Sequence, residues 1–305
     1  MSFDYIFGND KIKLLLTKAI NENNILHSYM FIGLNGIGKF LFAKEFAKTI
    51  LCNSSNHSCN SCNSCTKFNS NNHPDFMVIQ PEDGKSIKIE QIRFLQEKIA
   101  EKPIISNKKV YIINDSDCMT KESQNCLLKT LEEPPEYAVI ILILSNESKL
   151  LNTIKSRCTK FSFQSLSNEN IAQYFATNNL GTINSNILKL CNGSIGKAIE
   201  LQDESIGYDN LDSLINNLDQ KDIVDIWNSG DILYQSKDNI NSLLEYINII
   251  LMDKLLDTND IKYINCIKIV EITKKRLTSN ANFDMCIDNL LLKLWEEFNE
   301  KYNWS

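Results

Sequence analysis

Residues Gly33-Leu34-Asn35-Gly36-Ile37-Gly38-Lys39 stand between a short apolar run, Ser28 to Ile32, and an amphipathic stretch from Lys39 to about Leu51. A strand that feeds a glycine loop and then a helix leaves few folds open. Glycines let backbone N–H groups wrap phosphate oxygens at a helix N-terminus, and a closing lysine reaches the terminal phosphates. A chance glycine turn ahead of a helix is the plain alternative. The loop also breaks its own rule at the next position. A Ser or Thr there would give Mg²⁺ a hydroxyl ligand; the residue is Phe40, which ligates nothing.

The surrounding pattern alternates. Asn9 to Ile20 carries Ile12, Leu15, Leu16, Ala19 and Ile20 at helical spacing, and Lys88 to Glu101 carries Ile89, Ile92, Leu95 and Ile99 on one face. Asp75 to Ile79, Val110 to Ile113, Val139 to Leu144 and Thr159 to Phe163 read as strands. The near-continuous apolar run at Val139 to Leu144 is expected of a central parallel strand. Thr120 to Glu133 reads as a helix with Thr120 as N-cap, stopped by Pro134-Pro135. This alternation predicts an α/β, doubly wound parallel sheet. Beyond Phe163 strand signals fade. Ser167 to Leu201 holds short helices around a turn at Gly193–Gly196, and 205–305 is helical, with long stretches at Ile240 to Leu256, Ile261 to Leu277 and Asn282 to Glu300. Boundaries are expected near 163 and 204. No repeat of solenoid period occurs.

With 305 residues, 43% of them hydrophobic, two or three domains with real cores are expected and wholesale disorder is excluded. No run of 18 apolar residues and no basic-then-apolar N-terminus appears, so a cytoplasmic chain without a membrane span is expected. The net charge of −6 argues against an autonomous nucleic-acid binder, but it is uneven. Residues 1–163 carry 20 Lys/Arg against 17 Asp/Glu, and the rest carry 12 against 21. Any contact with phosphate therefore belongs to the first part. Asn occurs 38 times, so a single Asn is weak grounds for anything.

A second acidic element should follow an apolar strand. Val110 to Ile113 is followed by Asn114-Asp115-Ser116-Asp117. An active metal site wants Asp first and Glu second; Asn114 is neutral and a poor Mg²⁺ ligand. Phe40 and Asn114 together remove both protein contacts to the ion, which two independent losses explain best as a retired site. A shift of register that recruits Asp115 and Asp117 is the alternative.

Ten cysteines in a chain of this size, with no secretion signal, point to thiols or a metal site rather than disulfides. Cys52, Cys59, Cys62 and Cys65, three of them at CxxCxxC spacing, fit a closed, structural four-thiolate zinc site ordering a Ser/Asn-rich insert at 52–73. Otherwise Cys52 is a small buried residue ending a helix, with His57 or His73 as fourth ligand. The other six cysteines read as core. Lys67 is the lone basic residue of the insert, too little for a zinc-dependent DNA-binding module. Two further motifs stand out: Leu127-Leu128-Lys129-Thr130-Leu131-Glu132-Glu133-Pro134-Pro135, and Ser156-Arg157-Cys158. A lone Arg is usually a solvated ion-pair member worth little; Arg157 lies at a helix end, from which it can project.

Taken in order, Phe7-Gly8-Asn9, His27 to Gly33, the four-cysteine insert, residues 127–136 and residues 156–158 resemble the clamp-loader branch of the AAA+ proteins. The resemblance covers about 1–200. It implies a RecA-like domain with a zinc-binding insert (1–163), a small helical lid (164–204) and an all-α collar (205–305). Gly193 to Ala198 looks like its sensor-2 region, and Ser145-Asn146 falls at sensor 1. The family includes non-hydrolysing stator subunits with a degenerate nucleotide site, here Gly33, Gly36, Gly38, Lys39, Phe40, Asn114 and Asp115. Such subunits keep the SRC arginine, here Arg157, as a finger for a neighbour's ATP. The resemblance further implies structural Zn²⁺, doubtful ATP binding, and a ring of five with gamma/tau ATPase and delta subunits of DNA polymerase III. That ring loads the sliding clamp on primed DNA. An active ATPase motor subunit of the same complex is the competing reading, with Phe40 and Asn114 against it.

Overall fold

The computed structural model describes residues 3–299 apart from 4, 55–57, 83–84, 204, 238 and 280. The chain divides into two compact units, Met1–Tyr174 with Gly193–Gly196, and Phe175–Asn192 with Lys197–Ser305.

The first unit is built on five strands, β1 (Ser28–Ile32), β2 (Phe76–Ile79), β3 (Lys109–Ile113), β4 (Ala138–Leu144) and β5 (Thr159–Ser162), in the order β2-β3-β4-β1-β5. Every pairing is parallel. The apolar run read as a central strand is β4, in the middle of the sheet and buried along its whole length. Alternate residues feed two cores. Tyr29, Phe31, Val110, Ile112, Val139 and Ile141 pack on one face with Leu16 of α1 (Asp10–Asn21) and Phe42 and Phe46 of α2 (Lys39–Leu51). Met30, Tyr111, Ile113, Ile140 and Leu142 pack on the other, which also takes Ile92 and Leu95 of α4 (Ile89–Ala100) and Leu127 and Leu131 of α5 (Lys121–Glu132). Helices on both faces of a parallel sheet are the doubly wound architecture the alternation predicts. Thr120 caps α5, its Oγ1 accepting from the Ser123 N–H at 3.2 Å.

The insert is more ordered than its composition suggests. It contains α3 (Asn63–Asn69), capped by Cys62, whose sulfur accepts from the Cys65 N–H at 3.4 Å. A short helix, α6 (Asn152–Lys155), precedes β5.

The remaining elements are helices: α7 (Asn168–Thr177), α8 (Ser185–Leu190), α9 (Ile195–Asp203), α10 (Ser205–Asn216), α11 (Ile223–Ser229), α12 (Asp231–Gln235), α13 (Ile240–Thr258), α14 (Ile261–Thr278) and α15 (Phe283–Phe298). Sequence periodicity finds the last three; α10 to α12 are shorter and were not separated. In the second unit Leu244, Ile247, Leu251, Val270, Ile287, Leu290 and Leu291 are buried. Among the described residues no helix is long and apolar enough to cross a membrane.

Candidate functional site

The phosphate loop leaves β1 at Gly33, whose N–H donates to the Leu144 carbonyl at the end of β4. The loop thus lies at the carboxyl edge of the sheet, where ligands of open α/β sheets bind. Gly36 has φ +73° and Gly38 has φ +94°, so both occupy the left-handed region that favours glycine. Lys39, at the start of α2, is buried. Its Nζ donates to the Gly33 and Leu34 carbonyls at 2.6 and 2.7 Å, so the lysine closes over its own loop. Burial lowers its pKa, and the charges of Asp115 and Asp117 work in the opposite direction.

Phe40 packs toward the protein interior. Its part-buried ring packs on the core that holds Phe42 and Phe46. Asn114 follows β3, and its side-chain N–H donates to the Asp115 carboxylate at 3.0 Å. Asp115 has φ +49°, and its pKa is raised by burial and by Asp117. The register shift does not bring Asp117 in as a free carboxylate. Its Oδ2 accepts from the Ser145 hydroxyl at 3.1 Å and the Asn146 N–H at 3.0 Å, tying the end of β3 to the end of β4. Asp115, Asp117, Asn35, Ser145 and Lys149 line a cavity of about 370 Å³.

The Gly193–Gly196 turn lies directly over the loop. The Gly196 N–H donates to the Gly36 carbonyl at 3.0 Å. A Cβ on Gly36 would meet Ser194 Oγ at 2.3 Å, and one on Gly196 would meet the Gly36 Cα at 2.9 Å. Only paired glycines permit this backbone contact. Sequence reading recognised the turn as a motif but had no means of seeing what it covers.

Arg157 sits at the other edge of the sheet. Its carbonyl accepts from Ser28 Oγ at 2.6 Å, at the first residue of β1. The four residue steps from Ser28 to Ile32 span roughly 13 Å at about 3.3 Å each. Strand β1 therefore separates Arg157 from the phosphate loop of its own chain. The guanidinium donates to the Thr153 carbonyl at 2.8 Å and pairs with Glu132 at 2.7 Å. Sequence reading named Arg157 and the helix containing Glu132 as separate motifs; their ion pair appears only in three dimensions. It also missed Gln124, whose amide donates to the Met119 and Lys149 carbonyls and accepts from the Leu151 N–H, fixing α5 against the segment leading to α6.

The four insert cysteines converge. Their sulfurs all lie within 4.8 Å of one another, with Cys52 Sγ 3.7 Å from Cys59 and 3.9 Å from Cys62. Tetrahedral zinc with Zn–S near 2.3 Å requires S···S separations of about 3.8 Å, so the donor set fits that ion. The Cys62 N–H donates to Cys59 Sγ at 3.3 Å and the Ser54 N–H to Cys52 Sγ at 3.4 Å, bonds that stabilise thiolates. Cys52 joins this set rather than ending α2 as a buried apolar residue. His73 is not the fourth ligand: its Nε2 faces Ser64 Oγ at 2.9 Å and its Nδ1 accepts from the Asp75 N–H at 3.0 Å. His57 lies outside the described residues. Cys191, Cys266 and Cys286 are buried, while Cys118, Cys126 and Cys158 are half-buried.

The chain is similar to known proteins over much of its length. The family model described as DNA polymerase III, delta subunit, matches residues 8–167. DNA polymerase III subunit delta' of Bacillus subtilis (strain 168) is 34% identical over 192 residues, 63% of this chain and 58% of that protein. DNA polymerase III subunit tau/gamma of Haemophilus influenzae is 30% identical over 245 residues, 76% of this chain and 35% of that protein. The chain thus spans little more than half of the first relative and about a third of the second. A solved gamma subunit-related protein of DNA polymerase III from Thermotoga maritima superposes with a TM-score of 0.47 at 16% identity, covering 93% of this chain and 99% of that one. With the family model matching more than half its length, the chain belongs to the DNA polymerase III delta-subunit family.

Proposed function

We propose that this chain is a delta-prime-type stator of the DNA polymerase III clamp loader, a subunit that does not hydrolyse ATP itself but completes the site of a neighbour. The observation that carries the reading is Phe40. The position of the metal-ligating hydroxyl holds a part-buried ring packed against the core, so an ion there would lack its partner on the loop. Asn114 removes the second contact, and Asp117 is committed to Ser145 and Asn146.

Arg157 supplies the complementary half. It is separated from its own phosphate loop by the length of β1, so a phosphate it reaches belongs to another subunit. An arginine inserted from outside stabilises charge on a transferring phosphoryl group, worth about 10³–10⁵ in rate for GTPases. In this reading the partners are gamma/tau ATPase and delta subunits in a ring of five, acting on the sliding clamp and primed DNA. Residues 164–204 serve as lid and 205–305 as collar. Cys52, Cys59, Cys62 and Cys65 would hold a structural zinc that fixes the insert.

The motor reading has one observation in its favour: Lys39 and the loop glycines are all present beside a cavity lined by Asp115. Equilibrium binding of ATP to the purified chain, with and without Mg²⁺ and with phosphate release followed in the same sample, separates the two. No binding, or metal-independent binding without release, is expected. Metal-strengthened binding with steady turnover would overturn the stator reading.

A further inference from the structure

The Arg157 guanidinium is held in a way that its stability contribution does not explain. Its partner Glu132 is the last residue of α5, and Glu133 follows as the C-cap. A carboxylate at a helix C-terminus faces the negative end of the macrodipole, where a cation is preferred. Glu132 is half exposed, as is Arg157, and exposed ion pairs contribute little because solvent screens them and two long side chains must be ordered. Glu132 is therefore placed where it harms its own helix and brings the fold little in return.

What it does achieve is geometric. Three elements converge on one residue: β1 through Ser28 holds the Arg157 backbone carbonyl, while α6 through the Thr153 carbonyl and α5 through Glu132 hold two different guanidinium nitrogens. Helix α5 is itself locked to the segment before α6 by Gln124. The fork of the arginine is thereby aimed before any phosphate arrives. Pre-aligned groups save the entropy of ordering at the moment of reaction, and a displacement of 1 Å can cost a hundredfold in rate.

We infer that Glu132 is a positioning residue for Arg157, fixing the direction in which the guanidinium leaves this subunit toward the phosphates of its neighbour. This rests on the finger reading of Arg157. It assigns a role to the charged end of the LLKTLEEPP motif, which otherwise looks like an ordinary solvated helix terminus.

The test is a double-mutant cycle read as ATP turnover by the fully assembled loader. Arg157→Ala, Glu132→Ala and the double variant are compared, with assembly checked by stoichiometry. Glu132→Ala is expected to lower kcat about tenfold with KM for ATP unchanged. Glu132→Gln, whose carbonyl oxygen still accepts one guanidinium N–H, should recover most of the loss. In the Arg157→Ala background Glu132→Ala should add nothing. If Arg157→Ala lowers turnover while Glu132→Ala leaves it unchanged, or if the two losses simply add, the positioning role is wrong and the finger stands. If Arg157→Ala itself leaves turnover unchanged, the finger reading fails and the inference falls with it.

Discussion

The two edges of the parallel sheet handle charge in opposite ways. At the carboxyl edge, the side chains nearest the phosphate loop are turned onto the protein itself. Lys39 bonds its own loop carbonyls, Asn114 bonds Asp115, Asp117 bonds Ser145 and Asn146, and Phe40 faces the core. At the amino edge, Arg157 is held half exposed by a carboxylate that makes a poor helix terminus. On the proposed stator reading, a nucleotide site without work can relax inward, because satisfying its own polar groups lowers the free energy of the fold. On the same reading, a site that serves a partner has to stay outside. The contrast also separates two meanings of a glycine loop. Gly33 and Gly36 are required here by packing, since a Cβ would strike the Phe163 carbonyl at 2.9 Å and Ser194 Oγ at 2.3 Å respectively. Glycines at these positions therefore say little by themselves about bound phosphate.

The sharpest way to break this comparison is Arg157→Ala in the assembled complex. Turnover at the neighbouring site is expected to fall about 10³-fold, the lower end of the range for GTPase fingers. Gel filtration should show unchanged stoichiometry. Equal turnover in a complete assembly would mean that the amino edge is as inert as the carboxyl edge.

The cysteine insert comes next. Helix α2 begins at the phosphate loop and is capped by Cys52, so the cysteine cluster anchors the far end of the loop's own helix. Cys65→Ser is expected to abolish stoichiometric zinc, measured by mass spectrometry of the native chain. It should lower unfolding free energy by about 3 kcal/mol, because the insert lacks a core of its own. Full zinc retention with wild-type stability would show that the four sulfurs converge for another reason.

Gly36→Ala asks whether the closed carboxyl edge is a packed structure. The substitution strains φ +73° and drives a methyl into Ser194, at a cost of about 2 kcal/mol. Denaturant unfolding of the isolated chain measures it. A neutral result would mean that the Gly193–Gly196 turn does not rest on the loop in solution.

Much of this was legible in the sequence, and the exceptions share a cause. The parallel sheet follows from apolar runs such as Val139 to Leu144, whose burial on both faces leaves no polar positions. Cys59, Cys62 and Cys65 follow from their spacing, while Cys52 is placed beside them only by the fold. The Arg157–Glu132 pair, the Gly36–Gly196 contact and the Asp117–Ser145 bond link residues 25, 160 and 28 positions apart, and no local period records such contacts. Helices α10 to α12 escaped for a different reason: two of them are only 7 and 5 residues long, too short for a 3.6-residue period to declare itself. The order within 52–73 was hidden because it rests on scattered contacts, such as the converging sulfurs, Ser64 Oγ on the Leu51 carbonyl and the buried ring of Phe68, rather than on an apolar period.

The smallest expected effect is also the most specific. Restoring the metal contacts with Phe40→Thr and Asn114→Asp should cost about 1–2 kcal/mol of stability, since the part-buried Phe40 ring leaves the core. It should not create turnover. Asp117 would remain bound to Ser145 and Asn146, Lys39 would still need to leave two carbonyls, and the Gly196 backbone would still cover Gly36. A carboxylate and a hydroxyl added to such a site supply ligands without the opening that phosphate needs. Single-turnover hydrolysis by the isolated double variant decides it. Phosphate release above the unmodified chain would mean that two side chains alone had closed the carboxyl edge, and that the difference between the edges is one of substitution rather than of architecture.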